Sequence, residues 1–296
     1  MVVDSSDRDP SQTLTVNDMN YVVAAFYHFF SFPACAKAQR PLLDEMKRLE
    51  IKGSLLIAPE GINGTLAGTR EAIDTFLNHL RDEFVHGPFE HKESFCETQP
   101  FARSKVRLKR EIIAMGEFAD PNVKTGQYVS AQEWNDLVRD PEVVLLDARN
   151  RYEVHVGTFE GAIDPDTRTF KQLPEFVRQN LDPAKHKKVA TYCTGGIRCE
   201  KFTAWLLDQG FENVYHLKGG ILKYLEEIPP EDSTWQGECY VFDQRIAVGH
   251  GLVPSDRLTY CRNCGHPLTG EDRVQTSFDD FEPCRFCERE KGGLKE

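Results

Sequence analysis

Two cysteines six residues apart, Cys193 and Cys199, lie in the segment Tyr192-Cys193-Thr194-Gly195-Gly196-Ile197-Arg198-Cys199-Glu200-Lys201. Residues 189–192 read as a strand, and the residues after the glycines read as a helix with Phe202, Trp205 and Leu206 on its apolar face. A cysteine at the carboxyl end of a strand stands where open α/β sheets place their ligands. Gly195 and Gly196 let the backbone curl so that successive N–H groups converge, forming an anion nest backed by a helix N-terminus. A thiolate at that focus is stabilised, so its pKa falls below the about 8.5 of a free cysteine. Arg198 adds a permanent cation, and Thr194 and Ile197 complete the loop. The pattern predicts a nucleophilic thiol. The competing reading is a buried, inert cysteine before an ordinary strand–helix turn. Cys199 either caps the helix or resolves an oxidised or persulfidated Cys193 as a transient disulfide.

A second cluster lies near the C-terminus. Cys261-x-x-Cys264 and Cys284-x-x-Cys287 are separated by 19 residues, close to the spacing of a four-thiolate zinc site. Four protein ligands leave no open position, so the expected role is structural; a redox-active or vestigial set of thiols is the other reading. His266 reads as a bystander, and Cys35, Cys96 and Cys239 as packing residues. No dinucleotide fingerprint or iron facial triad stands out, and no organic cofactor is expected. In Arg103-Ser-Lys105-Val-Arg107-Leu-Lys109-Arg110, cations recur with period two and would share one face of a strand. That stripe either binds phosphate or protects a solvated edge strand. Asp147, at the end of the apolar run 143–146, reads as a buttress for the Cys193 loop, with Arg149 and Glu153 paired to each other as support.

The elements that position these residues form two patterns. Over residues 21–96 the order is strand, helix, strand, strand, helix, strand, a split βαβ, ferredoxin-like unit. Gly53 should stop the first helix, and Pro59–Gly64 (PEGING) reads as a turn ahead of a third strand at Thr65. Residues 120–127 have linker composition. Ser130-x-x-Glu133 is a capping box, after which strands alternate with helices as in a mostly parallel α/β domain. Gly210 closes the helix after the cysteine loop, and Gly219-Gly220 closes the last strand. Composition fits: 296 residues, 40% apolar and 28% charged, suit about two domains. The net charge of -11 argues against coating nucleic acid or anionic membrane with the whole surface. The first twenty residues, polar and acidic, read as a disordered tail without an export signal, and no apolar run is long enough to span a membrane. A cytoplasmic, reducing location follows as the expectation, with cysteines reactive or metal-bound rather than disulfide-bonded.

These motifs also resemble known families. Asp147-Ala-Arg149-Asn-Arg-Tyr-Glu153 with Gly157 and Gly161-Ala162, Cys193–Arg198, and Leu217-Lys-Gly219-Gly220 look like the signatures of a rhodanese domain. The resemblance implies that Cys193 carries a persulfide. Four residues separate Cys193 from Arg198, where related phosphatases have five, and the shorter loop favours sulfur chemistry or another small group. Glu60–Thr65, Val106–Gly116, Cys193–Lys201 and Phe242-Asp243-Gln-Arg245 occur in the order found in the bacterial tRNA uridine-34 hydroxylases. That resemblance implies an acylphosphatase-like domain over 21–118, a rhodanese domain over 128–232, a Cys-rich region over 233–290 and a tail over 291–296. It implies oxygen-dependent 5-hydroxylation of the wobble uridine, with tRNA as partner and O2 as co-substrate. Arg198 and Cys199 would act with Cys193, and the chemistry would run through attack of Cys193 on C6 of uracil or through a Cys193 persulfide or sulfenate. The rivals are a plain sulfurtransferase and a non-catalytic RNA-binding adaptor.

Overall fold

The computed structural model describes residues 20–87, 89–274 and 283–287; the tails expected before residue 20 and over 291–296 lie outside the described residues. The first unit runs β1 (Tyr21–Phe29), α1 (Cys35–Arg48), β2 (Lys52–Ala58), β3 (Gly61–Gly68), α2 (Arg70–Leu80), β4 (His91–Cys96) and β5 (Ser104–Leu108). The strands make one sheet in the order β4-β1-β3-β2-β5, with β5 parallel to β2 and the other pairs antiparallel. This is the expected ferredoxin-like arrangement with one added edge strand.

Alternation along the strands separates two faces. Val22, Ala24 and Phe26 of β1, Leu55 and Ile57 of β2, and Ile62 and Leu66 of β3 pack with Leu42, Met46, Ile73 and Phe76 of the two helices in one core. The opposite face is uncovered by this unit's own helices. It carries Ala25 and Tyr27 with their register partners Thr65 and Asn63, then Ser54 and Leu56, Lys92, and Lys105 and Arg107. Two local expectations differ. The helix ends at Arg48 and turns through Glu50 at φ 55°, while Gly53 lies inside β2. The turn after β2 is only Pro59-Glu60, because Gly61–Gly64 already pair in β3.

The second unit contains β6 (Gln127–Val129), α3 (Ala131–Arg139), β7 (Val143–Asp147), α4 (Arg151–Val154), β8 (Gly157–Phe159), α5 (Leu173–Asn180), β9 (Lys188–Tyr192), α6 (Ile197–Asp208), β10 (Asn213–Leu217) and α7 (Gly220–Glu227). β6 takes Gln127 from the end of the expected linker. The sheet is fully parallel in the order β6-β10-β9-β7. The capping box forms as read: Ser130 Oγ accepts from the Glu133 amide, and the Glu133 carboxylate accepts in return. Cores lie on both faces, one built around Trp134, Phe159 and Tyr224, the other around Phe202, Trp205 and Leu206.

The chain then wraps this unit. β11 (Trp235–Gly237) pairs antiparallel with β8, and Val241, Val248 and Leu252 join the Trp134 core. Beyond residue 258, a two-stranded ribbon and the four cysteines form a small cluster of their own. Among the described residues, no helix is long and apolar enough to cross a membrane.

Candidate active site

Cys193 follows the last residue of β9 and is fully buried at the floor of a cleft of about 810 Å³. One wall is the open face of the first sheet, with Tyr27, Thr65, Lys92, Lys105 and Arg107; the other is the cysteine loop. The Gly196 amide donates to the sulfur at 3.2 Å. Burial alone would push the thiol up. A hydrogen bond from the Cys199 thiol, the charge of Arg198 and the backbone N–H groups of Cys199 and Gly196 outweigh it and bring Cys193 down to about 5. Cys199 moves the other way, raised by its own burial and by the neighbouring thiolate. The pair therefore holds one proton, on Cys199, and Cys193 is the more acidic thiol.

The loop is held from two sides. Arg198 places Nη1 and Nη2 on the Glu153 carboxylate, both at 2.6 Å, and Thr194 Oγ1 donates to the same carboxylate at 3.1 Å. Burial works against the Glu153 anion, but Arg198 holds its carboxyl below the usual range. On the other side, α7 begins at Gly220, whose φ is +69° and whose hypothetical Cβ would lie 2.5 Å from the Cys193 carbonyl oxygen. Only glycine allows the helix to come so close, and the amides of Ile221 and Leu222 then donate to the carbonyls of Cys193 and Thr194 at 3.0 and 3.1 Å.

The expected pairings are rearranged. Arg149 pairs with Asp147, not with Glu153, through Nε at 2.9 Å and Nη2 at 2.6 Å, and it reaches the Glu153 and Gly157 carbonyls. Asp147 is thus spent on Arg149 beneath the sheet end, and the buttress of the cysteine loop is Glu153. The physical reason is reach: α4 turns the Glu153 carboxylate toward Arg198, while its carbonyl faces Arg149.

Several residues that spacing did not single out complete the site. Lys92 Nζ donates to the Gly195 carbonyl at 2.9 Å, and Tyr27 donates to Glu200 at 3.1 Å. Tyr128 reaches the same carboxylate at 2.7 Å. Lys201 is buried between Glu60 and Glu111, at 2.8 and 2.7 Å, locking the first unit to α6. Arg245 pairs with Asp243 and donates to Ser94 of β4 at 2.6 Å. The motif segments around residues 60, 111, 201 and 243 thus meet at the boundary between the units. Lys105 and Arg107 line the cleft, whereas Arg103, Lys109 and Arg110 are exposed at the ends of β5 outside its lining.

The sulfurs of Cys261, Cys264, Cys284 and Cys287 all lie within 4.8 Å of one another. The Cys261–Cys287, Cys264–Cys284 and Cys284–Cys287 separations are each 3.7 Å. A tetrahedron with zinc–sulfur bonds of about 2.3 Å has edges of roughly 3.8 Å, so the donor set fits a four-coordinate metal such as zinc. His266 is not among the donors and stacks on Phe286, with ring centroids 3.9 Å apart.

A model of the UPF0176 acylphosphatase-like domain matches residues 21–112, and one of the rhodanese-like domain matches residues 130–227. This chain has the UPF0176 architecture. Its rhodanese part is similar to a rhodanese-like domain from Anabaena sp. (21% identity over 38% of this chain and 80% of that one, TM-score 0.32). It is also similar to a rhodanese-related protein from Thermoplasma volcanium (24% identity, 35% and 95%, TM-score 0.29). The first domain is similar to an acylphosphatase from Coxiella burnetii (10% identity, 30% and 94%, TM-score 0.24). In the UPF0176 architecture seen here, the cysteine belongs to the rhodanese-like domain and the opposite wall of its cleft to the acylphosphatase-like domain.

Proposed function

We propose that this protein hydroxylates C5 of the wobble uridine of tRNA, using O2 as co-substrate and Cys193 as nucleophile. The observation that carries this reading is an acidic thiol on the floor of a cleft whose far wall is cationic and polar. Lys105, Arg107 and Arg168 line that cleft and suit a phosphate backbone, and Tyr152, Phe101 and Phe242 offer rings on which an unstacked base can rest. A cleft this wide is more than a small sulfur donor needs.

In the proposed reaction, the Cys193 thiolate adds to C6 of uracil and delivers an electron pair to C5. C5 combines with O2 and a proton to give a hydroperoxide. The Cys199 thiol takes the distal oxygen, becoming a sulfenic acid and leaving C5–OH. Loss of the C5 proton expels Cys193, which then condenses with the Cys199 sulfenic acid to a disulfide and water. The sum is uridine, O2 and two thiols to 5-hydroxyuridine, water and one disulfide, which an external thiol reduces. Nucleoside analysis of tRNA from cells lacking the protein, complemented with wild type or Cys193→Ser, tests this. Wild type should restore 5-hydroxyuridine-derived nucleosides and Cys193→Ser should not; levels that never change on deletion overturn the reading. Sulfane-sulfur transfer is the second reading, favoured by the short loop that seats the sulfur on the Gly196 amide. It predicts turnover of thiosulfate with cyanide as acceptor and no change in tRNA.

A further inference from the structure

The cation that the sequence sets beside Cys193 is Arg198, yet its guanidinium is held at 2.6 Å by both oxygens of Glu153. The two are buried together, side chains 7% and 0% exposed, and close as a neutral pair. Asp147 and Arg149 close as a second pair. An ionised Cys193 then adds one negative charge to a floor that little water reaches, and an unbalanced buried charge is costly. Arg198 still lowers the thiol, and a further cation comes from the other domain. Lys92 stands on β4 at the register position opposite Ala25, on the open face of the sheet. Its Nζ donates to the Gly195 carbonyl at 2.9 Å and lies 5.7 Å from the Tyr27 ring centre. Its Cε is 3.3 Å from where a Cβ on Gly219 would sit. The ammonium is therefore seated in the cysteine loop rather than in solvent.

Other groups around it do not take its place. Cys199 on α6 keeps its proton and donates to the sulfur. Glu200 on α6 is an acid, raised by burial and engaged by Tyr27 of β1 and Tyr128 of β6. Glu90, just before β4, and Lys223 of α7 face the Lys92 ammonium with opposite signs. Lys201, also on α6, is spent on Glu60 and Glu111. Burial pulls the Lys92 ammonium down, and the facing thiolate holds it up.

We propose that Lys92, supplied by the acylphosphatase-like domain, is the counter-cation of the Cys193 thiolate and a positioning residue of the rhodanese-like site. The active thiol is then composite, with its acidity set across the domain boundary. This rests on Cys193 being the reactive thiol and is independent of what the thiol acts on.

The test is the pH titration of Cys193 in the full-length protein, read as ultraviolet thiolate absorbance against a Cys193→Ser blank. Lys92→Gln keeps a donor for the Gly195 carbonyl and removes the charge. It should raise the Cys193 pKa by about one unit or more, a roughly tenfold fall in thiolate at acidic pH. Lys92→Arg should restore the wild-type curve, which a purely structural role for the hydrogen bond would not require. Lys92→Met carries the same expectation if Lys92→Gln does not fold. A Lys92→Gln curve that overlays wild type overturns the proposal. A wild-type Cys193 that titrates like a free cysteine overturns the underlying reading and the proposal with it.

Discussion

At the scale of single residues, the site depends on a small number of buried charges whose partners are fixed. Glu153 is the clearest case, because it holds both Arg198 and Thr194. Glu153→Gln leaves Arg198 buried without its counter-charge and should cost about 3–5 kcal/mol in urea unfolding. The pH dependence has a definite sign. The folded Glu153 carboxyl lies below its ordinary value of 4.5, so its stabilising contribution is complete above that value and is lost as pH falls through the folded pKa. Unfolding midpoints of wild type should drop on acidification below about pH 4.5, while those of Glu153→Gln should fall less steeply. The thiol itself was legible in the sequence, since strand, glycines and arginine are contiguous. Its supports were not. Spacing paired Arg149 with Glu153, but a four-residue separation does not say whether a carboxylate or a carbonyl faces the arginine.

At the scale of elements, the position of β5 fits the edge-strand reading of its basic stripe, and two of its cations stand where the phosphate-binding reading needs them. It is the edge strand of its sheet, and Lys105 and Arg107 face the cleft. Lys105→Ala with Arg107→Ala should weaken tRNA binding and flatten its salt slope by about one unit for each phosphate that is no longer neutralised. The same pair of changes at Arg103 and Lys109, outside the cleft lining, should act less on the slope; equal effects would place the RNA elsewhere. Period two made this face readable before any fold was known, because alternation survives whatever the strand pairs with. Lys92 and Tyr27 had no comparable signal. Each lies on an ordinary strand, and their roles arise from hydrogen bonds to residues 103 and 173 positions away. The PEGING segment misled for a related reason: its glycines permit close strand pairing rather than an extended turn.

At the scale of the whole molecule, the four-cysteine cluster is linked to the Cys193 loop through one short helix. His155, the residue after α4, donates from Nε2 to the Asp272 carboxylate at 2.8 Å and packs its ring 4.6 Å from that of Phe286, between Cys284 and Cys287. α4 also carries Glu153. Removing the metal with a chelator, or replacing Cys261 by Ser, should lower the melting temperature, with roughly 2–4 °C for each kcal/mol of stability removed. Purified protein should carry about one equivalent of zinc, as a four-thiolate site requires; an unchanged melting curve after metal removal would show that the cluster contributes nothing to stability. The two domains, and the family they resemble, were readable because their motifs are long and ordered. Their docking was not, since it depends on three distant segments meeting at Lys201. That lysine also makes each half's charge depend on the other. Without it, Glu60 and Glu111, both on the first unit's side of the seam, would lose their shared cation, and without them it would be a buried cation with no counter-charge. A transplanted N-terminal domain would therefore have to bring both carboxylates with it to leave Lys201 paired.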